Sequence, residues 1–362
     1  MIHQIGSTLA YGDAITNHIV ALDHQLSRWG LPSRIYGARI DGSRITKAEL
    51  DTAFVDGNES DDILIYHYSA FCENYQLFRR SRNRKILIYH NITPASFYSP
   101  YDAGMAEVCS RGRELLPMLH DCDLALGVSE FNRQELVAIG FNATKTAVLP
   151  ILLSLDNFAT KARDEWVYQR LTKDGLINIL VTGRIAPNKA YEEIIKIFAE
   201  YHHSINPHSR LHFVGTRFVR KYNELLDRLV SAFGLHDAIT FTDRVSLAVL
   251  KAYYEASHVF VCASRHEGFC VPLVEAMSFG LPILARAGTA IPETLGSAGV
   301  LYQSEDYPVL AETLGLMVED QDFRTSLAEG QRARLADFAP ARVATGLRAA
   351  LARVGLEVAQ AA

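Results

Sequence analysis

The sequence predicts an α/β fold of two doubly wound domains, each built on a parallel sheet. Short apolar runs alternate with helical stretches along the chain, as in repeated strand–helix units. Its 362 residues suffice for two domains that each bury a core. We expect a first domain over residues 1–160, a second over 161–339, and a final helix over 340–362 that returns to the first.

Six strands are predicted in the first domain. They are Ile2–Ile5, Ser33–Tyr36, Ile63–Tyr66, Ile86–Tyr89, Leu124–Gly127 and Thr146–Leu149. Apolar residues at helical spacing predict a helix after the first strand, ending at Gly30. The loop Gly6–Asp13 precedes that helix and offers backbone amides to a phosphate or sugar. It lacks the G-x-G-x-x-G pattern, which argues against a dinucleotide cofactor.

Two histidines follow neighbouring strands of this domain. His67 and His90 stand at carboxyl ends of strands, the edge at which ligands bind in open α/β sheets. An isolated histidine is more often a structural hydrogen-bonding residue, and this alternative is favoured for His67.

A run of basic side chains lies between these two strands. Its members are Arg79, Arg80, Arg82, Arg84 and Lys85. Cations favour the carboxyl end of a helix, so a solvated helix end explains the run. The alternative is a patch for anionic lipid headgroups or a lipid-linked phosphate acceptor.

The second domain continues the strand–helix pattern. Its predicted strands are Ile177–Thr182, Leu211–Gly215, Ile239–Thr242, Val259–Cys262 and Ile283–Ala285. A helix is expected from near Pro272 to near Gly280, because proline suits a first helical position and glycine the residue after a helix. Further helical patterns cover 320–336 and 340–359.

The loop after Ile177–Thr182 contains three residues that suit a diphosphate. Gly183 permits close approach of the backbone, and Arg184 and Lys189 supply two cations. Exposure to solvent as ordinary surface residues is the alternative.

Two glutamates have an E-x7-E spacing around the predicted helix start. Glu267 lies in the loop after Val259–Cys262, and Glu275 is expected in the first helical turn, so both should flank one cleft. Compensation of the helix dipole is the alternative role for Glu275. A carboxylate beside glycine at a strand end, as at Glu267, needs hydroxyls, cations or water as partners.

The run from Glu267 to Met277, followed by Gly280-Leu281-Pro282, resembles the signature of the family-4 retaining glycosyltransferases. That resemblance implies the GT-B architecture, two Rossmann-like domains with a cleft between them. It implies that Glu267 binds hydroxyls of the donor sugar and that Glu275 binds the ribose. It also places four further residues in the donor-binding run: Gly268, Phe269, Cys270 and Val271.

The resemblance extends to weaker correspondences elsewhere. Gly183, Arg184 and Lys189 match positions that bind the donor phosphates. His90 matches a histidine that contacts the donor sugar. The loop with Gly12 and Asp13 corresponds to one that touches donor and acceptor. The segment with Arg244 and Val245 corresponds to one along the nucleotide base, which leaves GDP and UDP undecided.

The expected function is retaining transfer of a hexosyl unit, such as mannosyl or glucosyl, from a GDP- or UDP-sugar. The acceptor is a hydroxyl of a glycan or lipid-linked molecule, in bacterial surface polysaccharide or glycolipid synthesis. The sequence has no D-x-D-like cluster at the carboxyl end of a predicted strand, so we expect no metal and no cofactor beyond the donor substrate. A nucleotide-sugar epimerase using Asp13, His67 and His90 is an alternative, as is a non-catalytic sugar-nucleotide-binding protein.

Composition limits the setting of the protein. A formal net charge of −5 gives no reason to expect nucleic-acid binding. The five cysteines form no C-x-x-C pair, which favours a reducing cytoplasm over a disulfide framework. The N-terminal residues resemble a strand rather than a signal peptide, and no apolar run reaches the roughly 20 residues that span a bilayer. Peripheral contact with the inner face of a membrane is the alternative to a purely cytoplasmic location.

Overall fold

The computed structural model describes residues 1–10, 12–41, 47–54, 61–155, 158 and 160–359. The chain forms two compact units. The first comprises Met1–Ser96, Gly104–Leu153 and Phe338–Ala362, and the second comprises Phe97–Ala103 and Ser154–Asp337. Each unit contains a parallel sheet with helical connections, which confirms the predicted fold class.

Within the described residues, the first unit has a sheet of seven parallel strands. In chain order they are β1 (Ile2–Ala10), β2 (Ser33–Asp41), β3 (Ala48–Leu50), β4 (Ile63–Tyr68), β5 (Arg84–Tyr89), β6 (Leu124–Gly127) and β7 (Thr146–Val148). Their spatial order is β3-β2-β1-β4-β5-β6-β7. The strand order reverses direction between β1 and β4, and this is where ligands bind in open α/β sheets.

Helices cover this sheet. They are Ala14–Arg28, Tyr75–Arg80, Ala103–Leu115, Glu130–Ala138 and Pro340–Arg353. The last belongs to the first unit although it follows the second unit in the chain. Arg84 Nη1 donates to the Val354 carbonyl at 2.8 Å, and Arg353 Nη1 donates to the Thr146 carbonyl at 3.3 Å. The largest buried apolar side chains of this helix are Val343, Leu347 and Leu351.

The second unit contains six parallel strands in the part of the chain that the structure describes. They are β8 (Ile177–Thr182), β9 (Ser209–Val214), β10 (Ile239–Phe241), β11 (Val259–Cys262), β12 (Ile283–Arg286) and β13 (Val300–Tyr302). Their spatial order is β10-β9-β8-β11-β12-β13, so the order reverses between β8 and β11. The central strands are buried on both faces, as parallel strands between helical layers must be.

The helices of the second unit connect these strands and follow the last of them. They are Glu165–Thr172, Tyr191–Glu200, Arg220–Ala232, Leu247–Ala256, Val271–Ser278, Ile291–Leu295, Tyr307–Glu319 and Gln321–Leu335. An apolar core fills the space between the sheet and the helices that precede and follow β11. Leu180, Phe260 and Ile283 of the sheet pack there with Leu273 and Met277 of the helix after β11.

The first predicted loop is partly wrong. Strand β1 continues through Ala10 and pairs with β2 as far as Ala10 and Asp41. Backbone groups of Gly6–Ala10 therefore serve the sheet ladder, and the prediction of a free loop is correct only near Gly12 and Asp13. In the described parts of the chain, no helix has both the length and the apolar composition needed to cross a bilayer.

Candidate functional site

Two loops of the second unit meet where its strand order reverses. One follows β8 and begins at Gly183, and the other follows β11 and carries Glu267. Strands β8 and β11 are direct neighbours, with Val259 opposite Ile179 in the ladder. The carboxyl ends of two adjacent parallel strands therefore bring both loops to one edge of the sheet.

The backbone of the first loop is held by its neighbours. Gly183 has φ 122°, a region that favours glycine, and its amide donates to the Val214 carbonyl at 3.0 Å. The Tyr191 hydroxyl donates to the Gly183 carbonyl at 3.0 Å. A Cβ added to Gly215 would lie 2.0 Å from the Gly183 oxygen. Close packing of backbone against backbone thus fixes this loop.

Lys189 and Glu267 join the two loops through an ion pair. Lys189 Nζ lies 2.5 Å from Glu267 Oε1, and the two side chains are 19% and 13% exposed. Burial by itself lowers the pKa of Lys189, but the Glu267 carboxylate raises it, and the net pKa lies above its usual value. Lys189 therefore stays cationic in a largely shielded position.

Backbone contacts position the same two loops. Asn188 Nδ2 donates to the His266 carbonyl at 3.1 Å, and the Arg265 amide donates to the Asn188 carbonyl at 2.8 Å. The amide of Glu267 donates to Thr289 Oγ1 at 2.8 Å. These contacts hold Glu267 beside Lys189 without using the Glu267 carboxylate, which retains an oxygen for another donor.

Arg184, the second predicted cation of the loop, is exposed. Its guanidinium lies over the Phe218 ring, 4.8 Å from the ring centre. An aromatic face supports a guanidinium while leaving its N–H donors at the edge accessible. Arg184 thus presents a charge that can bind an anion at low reorganisation cost.

Glu275 lies in the second turn of its helix, so its predicted place in the first turn is wrong. The helix spans Val271–Ser278, and Glu275 is its fifth residue. Its carboxylate accepts a hydrogen bond from the Tyr254 hydroxyl at 2.8 Å, and that hydroxyl also bonds Thr182 Oγ1 at 2.8 Å. Burial raises the pKa of Glu275, while the Tyr254 hydrogen bond opposes this. Dipole compensation therefore loses its geometric basis, since that effect is confined to the first turn.

The residues between the two glutamates form the entry to this helix. Gly268, Phe269 and Cys270 are buried, and Val271 is half-buried. Cys270 has φ 71°, in the left-handed region. This conformation turns the chain sharply into the helix. The Phe269 carbonyl accepts from Thr294 Oγ1 at 2.5 Å, which anchors the turn.

The segment expected beside the nucleotide base follows β10. Asp243 has φ 61°, and its side chain accepts from the Arg244 amide at 2.8 Å. Arg244 is exposed, and Val245 is partly buried against the core of the second unit. This tight turn presents the Arg244 side chain outward, and its role toward a base remains a prediction.

In the first unit, Asp13 has a structural role. It caps the helix Ala14–Arg28, since its carboxylate accepts from the amides of Ile15 and Thr16, both at 3.1 Å. Gly12 has φ 78°, which explains the glycine at the turn into this helix. The contacts to donor and acceptor that the resemblance implies for these residues remain predictions.

His90 is buried rather than open at its strand end. Its Nε2 lies 3.0 Å from His67 Nδ1, and both rings pack against His18. Burial lowers the pKa of His67 and His90, and lowers that of His18 to about 3. Sequence analysis did not single out His18, which lies on the helix after β1, because nothing in the local pattern links it to two distant histidines.

The basic run is divided between two environments. Arg79 and Arg80 are exposed at the end of a helix, whereas Arg84 and Lys85 belong to strand β5. A cavity of about 340 Å³ lies beside the run, lined in part by Arg79, Arg80 and Lys85. Arg84, however, is engaged with the Val354 carbonyl and therefore serves the packing of the first unit.

Comparison with known proteins identifies the fold. Residues 162–334 match the family described as "Glycosyl transferases group 1". The structure of HepE from Anabaena in complex with UDP-glucose superposes with a TM-score of 0.76 at 15% identity, covering 97% of this chain and 99% of that chain. The fold is GT-B.

Two curated relatives of this GT-B chain are bacterial. The O-antigen chain mannosyltransferase B of Escherichia coli is 24% identical over 264 residues, which are 72% of this chain and 66% of the relative. The mannosylfructose-phosphate synthase of Agrobacterium fabrum is 32% identical over 126 residues, 33% of this chain and 27% of the relative. The chain thus matches less than two thirds of the length of either relative.

The family match lies within the second unit of the GT-B fold. It includes Lys189, Glu267 and Glu275, together with the loops that position them. The cluster of His18, His67 and His90 and the basic run lie outside the matched residues. Tyr254 and Thr289 position the two glutamates, but sequence reasoning missed both, because a tyrosine or threonine has no spacing that distinguishes it from an ordinary packing residue.

Proposed function

We propose that this protein is a family-4 retaining glycosyltransferase with Glu267 and Glu275 as its E-x7-E pair. It transfers a hexosyl unit from a nucleoside diphosphate sugar to a hydroxyl of a glycan or lipid-linked acceptor. The observation that carries the proposal is the meeting of the Gly183 and Glu267 loops, joined by the Lys189–Glu267 pair at 2.5 Å. A cation and a carboxylate side by side suit a donor that has a diphosphate next to a sugar.

The diphosphate is the leaving group, and negative charge grows on it as the glycosidic bond breaks. Arg184 and Lys189 stabilise that charge, with Gly183 allowing the phosphates to approach the backbone. The amides at the start of the helix Val271–Ser278 add partial positive charge. Lys189 is already held by Glu267, and Arg184 rests on the Phe218 ring, so little reorganisation accompanies the reaction.

The two glutamates bind different parts of the donor in this proposal. Glu267, held by Lys189 and Thr289, accepts hydrogen bonds from sugar hydroxyls and orients the reacting ring. Glu275 accepts from the ribose with the carboxylate oxygen that Tyr254 leaves unused. The UDP-glucose bound to HepE and the mannosyltransferase relative support a nucleoside diphosphate hexose, and the latter supports a place in bacterial surface polysaccharide synthesis.

A donor panel tests this function. GDP- and UDP-hexoses are added singly, and the melting temperature is measured, since a ligand that binds the native state stabilises it by mass action. The stabilising donor is then incubated with candidate acceptors and its products are analysed. Transfer with retained anomeric configuration supports the proposal. Conversion of the donor to an epimer without acceptor would identify an epimerase, and binding without turnover would identify a sugar-nucleotide-binding protein.

Transfer should be independent of added Mg²⁺ or Mn²⁺. Arg184 and Lys189 occupy the role that such an ion plays at a diphosphate, so rates with and without either ion should agree within about twofold. The measurement is an initial rate at saturating donor over a range of each ion. A rate that rises from background only when Mg²⁺ or Mn²⁺ is present would assign neutralisation of the diphosphate to a metal instead.

A further inference from the structure

Three buried histidines converge where the strand order of the first sheet reverses. His18 lies on the helix after β1, His67 on β4, and His90 directly after β5. One ring nitrogen of each lies within 4.8 Å of those of the other two. Exposed fractions of 0%, 1% and 9% remove all three rings from bulk water.

A glutamine on β1 fixes the tautomer of the central histidine. Gln4 Nε2 donates to the Ile19 carbonyl at 3.3 Å, which directs Gln4 Oε1 toward His67 Nε2 at 3.2 Å. Because Oε1 only accepts, His67 must carry its proton on Nε2. The lone pair of His67 is therefore on Nδ1, the atom that faces His90 Nε2 at 3.0 Å.

Hydrogen bonding within the cluster leaves other nitrogens unsatisfied. Both ring nitrogens of His18 and Nδ1 of His90 have no hydrogen-bond partner among the residues that the structure describes. A buried polar atom without a partner costs about 1–3 kcal/mol. A neutral imidazole has one N–H and one lone pair, so a ligand that accepts the lone pair of His18 would give this buried ring a partner.

We propose that His18, His67 and His90 bind a divalent transition metal ion, with Zn²⁺ the best match. Zn²⁺ binds neutral imidazole at about 2.0–2.1 Å, which places the nitrogens of a tetrahedral site roughly 3.4 Å apart. The His67–His90 separation of 3.0 Å is already near this value. The third nitrogen must move by at most about 1.5 Å from the 4.8 Å limit to complete the triangle.

The surroundings fit this assignment. Gln4 accepts from the outer nitrogen of His67, the second contact by which proteins orient a metal-bound imidazole. Three neutral ligands leave a fourth position for water or an anion. Hard ions such as Mg²⁺ prefer oxygen ligands, so this site is distinct from any magnesium effect at a diphosphate. The assignment gives His90 a metal-binding role in place of the sugar contact that the resemblance implies.

The test begins with the unaltered chain, purified without a histidine tag. Metal content is measured after gel filtration. The protein is then stripped with a strong chelator and titrated with Zn²⁺ or Co²⁺, while melting temperature and visible absorption are recorded. We expect uptake of one equivalent, a higher melting temperature and the absorption of tetrahedral Co²⁺ with nitrogen ligands. No stoichiometric uptake, or an equal effect of Mg²⁺, would overturn the proposal and leave a hydrogen-bonded histidine cluster.

A matched pair of variants locates the ion. His18→Gln should abolish the metal-dependent rise in melting temperature, whereas His212→Gln should preserve it. His212 is also a buried histidine with an unsatisfied Nδ1, but it lies on β9 of the second unit. His90→Gln provides a second variant if His18→Gln does not fold. Unchanged uptake in a folded His18→Gln or His90→Gln variant would place the ion at other histidines or at cysteines, contrary to the proposal.

Discussion

Arg184→Ala and Lys189→Ala should each lower kcat by about 100-fold or more while leaving the protein folded. Loss of one preorganised contact to a charge that develops in the transition state commonly has an effect of this size. Arg184 is exposed and rests on Phe218, so its removal leaves no buried group unsatisfied. Initial rates at saturating donor and melting temperatures of both variants provide the measurement.

Arg220→Ala is the matched control for the arginine. Arg220 is also an exposed arginine of the second unit, with 83% of its side chain accessible and an ion pair to Glu224 one helical turn away. Its loss should alter neither the rate nor, by more than a few tenths of a kcal/mol, the stability. Parental rates in folded Arg184→Ala and Lys189→Ala variants would place the diphosphate elsewhere.

Glu267→Ala should also lower kcat by about 100-fold, with a smaller change in the donor KM. Misplacement of a reacting group by about 1 Å can cost roughly that factor. The variant also removes the carboxylate that raises the pKa of Lys189. Burial, which lowers that pKa, is then no longer opposed by Glu267. Glu267→Gln retains an acceptor for Lys189, so its kcat should lie between that of the parent and that of Glu267→Ala. An unchanged kcat in folded Glu267→Ala would remove the proposed sugar contact.

Glu275 is expected to give the opposite kinetic pattern. Glu275→Ala should mainly raise the donor KM, because a ribose contact is shared by ground state and transition state. Tyr254→Phe is its control, since it removes the hydroxyl that donates a hydrogen bond to Glu275 but retains the Glu275 carboxylate. If Glu275 only supports Tyr254, both variants should lower the melting temperature and leave the donor KM unchanged.

The central strands could be predicted because their physical origin is local. Val259–Cys262 is a continuous apolar run, Ile177–Thr182 is apolar apart from Asn178 and Thr182, and the structure has strands with these bounds. Edge strand β3, by contrast, has three residues, Ala48–Leu50, none of them buried. Such a strand depends on pairing with β2 and has no apolar pattern of its own. The helix Tyr307–Glu319 was missed despite Asp306 as its cap and Pro308 in its first turn.

At the candidate site, the charged residues are easier to predict from the sequence than the partners of those residues. Lys189 and Glu267 could be nominated from strand ends, but their ion pair joins residues 78 positions apart. The helical turn predicted for Glu275 depends on where the helix begins. If the helix begins at Pro272, Glu275 is its fourth residue, and if it begins at Val271, Glu275 is its fifth. An error of one residue therefore changed the predicted environment of this carboxylate.

The placement of helix Pro340–Arg353 has a consequence for biosynthesis. Translation releases all of the second unit from the ribosome before this helix, which the first unit needs for its packing. Until then the first unit lacks Val343, Leu347 and Leu351, and the apolar surface that they cover faces solvent. Domains usually fold in the order of synthesis. Here the first unit is begun first and completed last. A nascent chain stalled before residue 340 therefore exposes an apolar surface that chaperones can bind.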